Sequence, residues 1–357
     1  MGFAQANGPA AMGHFTGDQF PFYYSLATQF PIGDRYFCSL MGPTGPNRRF
    51  LLAATALGLA SDANEISATD APNGTIFDRF DAHGITWRDY FPDLPTPGLF
   101  LTDITNNPNN YFGVNQFLTD AAAGQLPQFS LIDPYDNESE ESGDVSIGEA
   151  FAARMIQAVM SSPNWPSTVL FLVYDENGGW YDHVPPVPAP RPDDVAPDIT
   201  APDCEADGGP CTQPGGFDFT GFRVPCTVIS PFARRDYVSH VVHDHTSLLK
   251  FVETKWNLPA MTYRDANASN MCDFFDFHGR PPFLEPPELA SPLNPFVGPL
   301  PAHSDGPDSG PFHPIANSVD ADTLPPAQFH VSTPPVQIPR GRGFSGFNPF
   351  SNGNSRR

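Results

Sequence analysis

The sequence predicts an α/β fold, a mostly parallel sheet flanked by helices, and three observations carry that expectation. Residues 168–174 form a continuous apolar run without alternation, as a strand covered on both faces does. An extended stretch at 36–40 leads through the breaker-rich turn Met41-Gly-Pro-Thr-Gly-Pro-Asn47 into a helix over about 47–57, a strand–turn–helix unit. Residues 75–83 read as a helix that Gly84 ends, followed by extended chain at 85–90.

The remaining elements follow from spacing. Phe22, Leu26 and Phe30 lie on one face of a helix over 18–30 with Asp18 as its cap. Residues 98–104 and 129–132 are short strand candidates. Ile147, Phe151, Met155, Ala158 and Val159 recur at helical spacing behind Asp144, predicting a helix over 144–160. After the 168–174 strand come two carboxylates, Asp175 and Glu176, then a Pro-, Asp- and Gly-rich excursion at 184–218. A strand over 222–230 and a helix over 244–256, with Leu248, Leu249 and Val252 inward, complete the pattern. From residue 281 the chain is Pro-rich without period, so the expected organisation is one domain over 1–290 and an extended or disordered Pro/Gly-rich tail over 291–357.

Composition excludes several functions. The 357 residues carry 40 Asp and Glu against 18 Lys and Arg, a formal charge of −22, which argues against a nucleic-acid or anionic-membrane partner. No apolar run approaches the roughly 18–20 residues of a bilayer span, so no integral membrane segment is expected. Gly2-Phe-Ala-Gln5 offers neither a basic nor an apolar leader region, so no signal peptide is expected in this chain. The five cysteines lack paired zinc-ligand spacing. Cys204 and Cys211 flank an acidic, Gly-rich loop, where a disulfide and two free thiols are equally open, while Cys38 and Cys226 read as small buried hydrophobes.

Chemistry concentrates in three places. In Tyr174-Asp-Glu-Asn-Gly-Gly-Trp-Tyr-Asp-His183, adjacent carboxylates at a strand end suit a bound cation or simply cap the next loop. Thr44 precedes a helix, where it suits either ordinary capping or an anion site with a hydroxyl nucleophile. Asn47 and Arg48, one turn later, are phosphate-contact candidates or plain helix-surface residues. In Ser239-His-Val-Val-His-Asp-His-Thr-Ser247, His240, His243 and His245 crowd a helix start, for metal or acid–base work or as a strand and its cap. His183 follows the Gly-Gly turn within reach of the same site.

These segments together resemble the bacterial phosphoesterase family that includes phosphatidylcholine-hydrolysing phospholipase C and a group of acid phosphatases, within the alkaline-phosphatase-like superfamily. The resemblance spans roughly residues 2–290. It rests on Phe20-Pro-Phe-Tyr-Tyr-Ser-Leu-Ala27, Asp34-Arg-Tyr-Phe-Cys-Ser39, Gly42-Pro-Thr-Gly-Pro-Asn-Arg48, the 174–183 segment, Phe222-Arg-Val-Pro225 and His243-Asp-His-Thr-Ser247. It implies an alkaline-phosphatase-like fold, Thr44 as nucleophile and Asp175 and Glu176 as metal ligands. It places His245, His243 and His183 around the same pocket, against phosphate or the leaving group.

Oxygen-only ligands imply a divalent metal, Ca2+, Mg2+ or Mn2+ rather than Zn2+. The implied activity is hydrolysis of a phospholipid or small phosphate ester by a phospholipase C-like phosphodiesterase, with an acid phosphatase or an inactive remnant as alternatives. Trp180 and Tyr181 suit either a choline head group or core packing. The implied setting of the full-length form is extracellular or cell-envelope. Two departures stand out. The family's E-N-x-S-F-D-x-x-F-G segment, which supplies further metal ligands, is absent, so an N-terminally shortened member is expected. Residues 138–144 are acidic where some members carry a His-Pro-Pro-like stretch.

Overall fold

In the computed structural model, which describes residues 2–62, 71–93, 95–135, 144–197 and 217–301, the chain forms two β-sheets with α-helices packed against them. Helices α1 (Gly2–Asn7) and α2 (Pro21–Gln29) lead the chain. The second begins at Pro21, with Phe20 in the cap position instead of Asp18, because proline's fixed φ suits a first helical turn. Strand β1 is the short pair Ile32–Gly33. The predicted strand at 36–40 makes only isolated bridges, Tyr36 to His243 and Phe37 to Arg223.

Helix α3 (Thr44–Ala53) starts three residues earlier than the pattern predicts, since Pro46 falls in the first turn, where its missing N–H costs nothing. Helix α4 (Ile76–His83) has the Thr75–Asp78 capping box, and Gly84 closes it at φ 67°. Strand β2 (Trp87–Phe91) follows. Over 98–104 the predicted strand is replaced by a 3-10 turn, Thr96–Leu99, and helix α5 (Leu101–Asn106), because Pro95 and Pro97 wind the chain into a tight turn. Strand β3 (Tyr111–Gly113) and helix α6 (Val114–Ala123) are elements the pattern missed. Strand β4 (Phe129–Ile132) and helix α7 (Val145–Met160), whose Asp144 cap accepts from Ser146 N, agree with the sequence reading. Then come β5 (Leu170–Val173), β6 (Cys226–Ile229), β7 (Val238–Ser239), α8 (His245–Trp256) and α9 (Tyr263–Ala266).

One sheet has the order β3–β2–β4 and is parallel throughout, with Trp87 opposite Phe129 and Tyr90 opposite Phe112. The other has the order β5–β6–β1–β7 and is mixed: β5 and β6 are antiparallel, as are β6 and β1, while β1 and β7 are parallel. The fold class is α/β, with its parallel pairing concentrated in the first sheet. Strand β5 therefore departs from the expected parallel, doubly covered strand, and all four of its residues are only half-buried.

The core is aromatic. Phe77, Phe80, Trp87 and Phe129 interlock, with ring centroids 4.3 Å apart for Phe77–Trp87 and 4.8 Å for Phe80–Phe129. The buried rings of Phe77, Phe80 and Trp87 each contribute about 1.5–3 kcal/mol. Cys38 and Cys226 are buried free thiols. Residues 281–301 form neither helix nor strand yet stay pinned: Trp165 Nε1 donates to Phe283 O at 3.0 Å, and Asn115 exchanges two hydrogen bonds with the Leu300 backbone. No helix among the described residues is long and apolar enough to cross a membrane. Cys204, Cys211, 138–143 and 302–357 lie outside the described residues.

Candidate active site

The loop before α3 is held by one side chain. Buried Asn47 accepts from Ser39 N (2.9 Å) and Leu40 N (3.2 Å), and its Nδ2 donates to Gly42 O (2.8 Å) and Pro43 O (3.1 Å). This amide fastens the turn to the helix it precedes and fixes Thr44 as the first helical residue; its polar atoms are spent on the backbone. Gly221 packs so close beneath the loop that a Cβ there would overlap Cys38 Sγ and Leu40 O.

Arg48 shares a helix face with Thr44, one turn on. Its Nε donates to Asp175 Oδ2 at 2.8 Å, just past the end of β5, and its Nη1 donates to Thr96 Oγ1 at 3.2 Å. Thr96 in turn donates to Asp133, at the end of β4, from both its N–H and its hydroxyl, each at 2.6 Å. Asp62 accepts from Gly45 N at 2.8 Å, at the amino end of α3. Three carboxylates from three segments thus surround one guanidinium.

Their protonation follows from burial against that charge. Burial pushes Asp175 up, but Arg48's charge and hydrogen bond, helped by His245, outweigh it and hold the carboxyl below its ordinary value. For Asp62 burial wins, reinforced by Asp175 and opposed by Gly45 N–H and Arg48, so its value is raised. Asp133 is also raised by burial against Arg48 and Thr96. Asp89 is pushed well up by burial and by the Asp133 charge.

His245 opens α8 behind its N-cap Asp244. Its Nε2 donates to the Asp175 carbonyl oxygen at 2.7 Å and its Nδ1 accepts from Tyr36 OH at 3.1 Å, an arrangement for a neutral ring. Burial lowers its pKa against the pull of Asp175 and Asp244. With both nitrogens engaged, the imidazole orients the backbone of Asp175. Asp244 is itself held by buried Arg264, whose Nε donates at 2.8 Å and whose remaining N–H groups reach Pro190 O, Phe217 O and Ser39 O. That guanidinium ties the start of α8 to the loop that carries Thr44.

Glu176 Oε2 accepts from Gly178 N at 2.7 Å, closing a turn in which Gly178 (φ 60°) and Gly179 (φ 73°) both need left-handed backbone. Of the sequence-predicted residues, Asn47, Arg48, Asp175 and His245 come together at the α3, β5 and α8 ends, with Thr44 one helical turn before Arg48 and Glu176 next to Asp175 in the chain. His243 does not join them: it is buried beside Phe274, with Nε2 3.4 Å from Asp273 Oδ1 and from Ser239 Oγ. His183 is exposed, 3.8 Å from Asp182, in a separate hollow of about 310 Å3 shared with Arg223 and Trp180.

Among the described residues, no group of three or more His, Cys, Asp or Glu is arranged to hold a metal ion. Asp175 is paired with Arg48 and Glu176 turns back on its own loop, so these two do not by themselves form a metal centre. Sequence reasoning missed Asp62, Asp133 and Thr96. Asp133 carried a legible signal, an acid directly after an apolar strand, the same pattern that singled out Asp175.

A family model described as the phosphoesterase family matches residues 1–259. Non-specific phospholipase C6 of Arabidopsis thaliana is 32% identical over 283 residues, covering 72% of this chain and 52% of that protein. Phospholipase C B of Mycobacterium tuberculosis is 30% identical over 326 residues, covering 81% and 60%. Hemolytic phospholipase C of Pseudomonas aeruginosa is 30% identical over 337 residues, covering 79% and 45%. The chain thus spans about half the length of these relatives. Among solved structures, a protein in the alkaline phosphatase superfamily from Vibrio parahaemolyticus superposes with a TM-score of 0.42 at 10% identity, covering 70% of this chain and 64% of that one. That likeness is too distant to argue from.

Proposed function

The chain belongs to the phosphoesterase family, and from that premise we propose that it hydrolyses phosphate esters, phospholipase C-like diesters of phospholipids foremost, with Thr44 as nucleophile. The observation that carries this reading is the placing of Thr44 at the start of α3, with Arg48 on the same face one turn away. A phosphoryl group there meets helix N–H groups and a guanidinium, both suited to the charge on its non-bridging oxygens. Thr44 Oγ would attack phosphorus in line as the P–O bond to the leaving alcohol breaks, the hydroxyl proton passing to that alcohol's oxygen, and water would then cleave the bond between phosphorus and Thr44 Oγ, restoring the hydroxyl and releasing the phosphorylated head group from a diester or phosphate from a monoester. His243 and His183 stand apart from these steps, and His245 serves them by positioning Asp175. No step is routed through a divalent cation, because the first carboxylate it would need is held by Arg48. A phospholipid substrate accords with action outside the cell or in its envelope.

Turnover of p-nitrophenyl phosphorylcholine and p-nitrophenyl phosphate by the wild type, Thr44→Ala and Thr44→Ser, with and without chelator, tests this. Thr44→Ala is expected to lower kcat at least 100-fold with an unchanged melting curve, and Thr44→Ser to retain activity. Undiminished turnover by the alanine variant would remove Thr44 from the mechanism. The raised pKa values of Asp62 and Asp133 favour a second reading, an acid phosphatase. Protonating these carboxyls makes room for the charge of a phosphate monoester, so monoester turnover that climbs as pH falls would mark that activity.

A further inference from the structure

Residues 35–37 form a short extended stretch fastened along both edges. His243 N donates to Arg35 O at 3.0 Å and Phe37 N to His243 O at 2.9 Å on one side, while Val224 N donates to Tyr36 O at 3.0 Å on the other. That pairing sets the fully buried Tyr36 side chain against the buried ring of His245. The ring centroids lie 5.8 Å apart at 56°, and the directed contact between them runs from the phenol hydroxyl to Nδ1, 3.1 Å away. His245 Nε2 is 2.7 Å from the Asp175 carbonyl oxygen, which can only accept, so Nε2 carries the hydrogen. Nδ1 of the neutral ring is then a bare lone pair out of reach of water, and Tyr36 OH is its hydrogen-bond partner among the described residues. Burial, reinforced by Cys226, Asp244 and Cys38, holds the phenol's pKa well above its ordinary value, so the hydroxyl remains a donor.

The Asp175 main chain needs that ring. Strand β5 pairs with β6 as far as Val173 opposite Cys226, and Tyr174 N adds a last bond to Pro225 O at 3.4 Å. Past this point the chain runs into the Gly178–Gly179 turn, and among the described residues it is His245 that holds the Asp175 carbonyl. The Asp175 side chain in turn fixes Arg48, Nε to Oδ2 at 2.8 Å, and an arginine left without such a partner spreads over many rotamers. We propose that Tyr36 is a positioning residue for the hydrolysis proposed above, on which its link to the reaction rests: its hydroxyl holds the His245 ring where Nε2–H meets the Asp175 carbonyl, and so fixes Arg48 for the phosphoryl group at Thr44. Tyr36 touches neither substrate nor reacting atoms. Three links carry its effect, phenol to imidazole, imidazole to main chain and carboxylate to guanidinium.

The test compares the wild type with Tyr36→Phe, His245→Ala and the double variant. Tyr36→Phe keeps the packed ring and removes one oxygen. Hydrogen exchange of the His245 Nε2 proton, followed in isotope-edited NMR spectra, is expected to be at least about 10-fold faster in Tyr36→Phe, with the amides of Phe37 and Val224 as protected as in the wild type. Those two results together show a folded variant whose imidazole has lost its hold. With p-nitrophenyl phosphorylcholine, kcat is expected to fall about 10-fold and KM to change by less than about 2-fold, since a small displacement of Arg48 weakens transition-state contacts more than ground-state binding. In the His245→Ala background, Tyr36→Phe is expected to lower kcat by less than about 2-fold further, because the phenol has no ring left to act through.

Unchanged Nε2–H exchange in Tyr36→Phe would show that the ring is held without the hydroxyl and would overturn the proposal. Faster exchange with unchanged kcat would cut the link to the reaction and overturn it as well. A further loss of kcat in the His245→Ala background as large as in the wild type would do the same, since Tyr36 would then act through packing, as would loss of the Phe37 and Val224 protection, the mark of a purely structural residue. A wild type inactive toward both p-nitrophenyl esters would instead sink the function proposed above, and the Nε2–H exchange alone then decides whether Tyr36 positions His245.

Discussion

Replacing Arg48 with methionine keeps most of the side-chain volume and removes the one guanidinium among Asp62, Asp133 and Asp175. In the wild type Arg48 lowers the pKa of all three, and for Asp175 it reverses the effect of burial. Without it, burial is opposed only by the remaining hydrogen bonds and, at Asp175, by His245, so each carboxyl titrates higher than in the wild type. The variant's native state then binds more protons than the wild type's over that interval, so its stability relative to the wild type falls as pH rises through it. A shift of one unit is about 1.4 kcal/mol for each group above both pKa values. Arg48 and Asp175 retain 25% and 23% side-chain exposure, so solvent screens part of this, and coupling makes the three shifts less than additive. The expected loss is about 2 kcal/mol at pH 8 and under about 1 kcal/mol at pH 5. Urea unfolding of both proteins at the two pH values measures it. An equal loss at pH 5 and pH 8 would show that Arg48 acts through packing alone and would refute the charge argument.

Three further substitutions follow from the geometry. Arg264→Met leaves Asp244 as a buried charge without its partner and is expected to cost about 3–5 kcal/mol in urea unfolding, with loss of whatever turnover the wild type shows, since the cap of α8 and the 39–43 loop both lose their anchor. Burial, with Asp265 beside it and Lys250 opposing, pushes Glu253 up to about 8, so the native state holds its proton longer than the unfolded chain. Its contribution to stability is present below about pH 4.5 and is lost as pH rises toward 8; Glu253→Gln is expected to flatten that slope in melts across this range. Gly221→Ala drives a methyl into Cys38 and Leu40 O and is expected to destabilise by about 1–3 kcal/mol, read as a lower urea midpoint.

Local rules were legible where a single segment decided the outcome. Thr75, Asp78 and Gly84 bound α4 because capping chemistry lies within the helix itself, and Asp144 and Asp244 announce α7 and α8 in the same way. The strand at 98–104 failed because apolar spacing there, Leu99, Phe100, Leu101 and Ile104, fits a helix turn as well as a strand, and Pro97 decided between them. For the site, Asp175 and Arg48 could be marked separately but their pairing could not, since 127 residues separate them. Asp62 carries no local signal at all; its importance comes from Gly45 N–H, which only the folded chain brings to it. His243 and His245 differ by two positions yet part company, because the cap at Asp244 turns one ring toward Asp273 and the other toward Asp175.

Asp62 also explains how an acidic chain could admit a phosphate. The amino end of α3 already serves an anion, for Gly45 N–H is bonded to the Asp62 carboxylate. A phosphoryl group arriving at Thr44 competes for that same end, and at an effective dielectric of 20 two like charges about 5 Å apart repel by roughly 3 kcal/mol. The raised pKa of Asp62 lowers the barrier to exchange: once protonated, the carboxyl neither repels the incoming oxygen nor holds the N–H as strongly. On the proposed function, the helix end would then pass from an internal anion to the substrate with little change in net charge. Arg48, kept in place by Asp175, completes the neutralisation one turn further along.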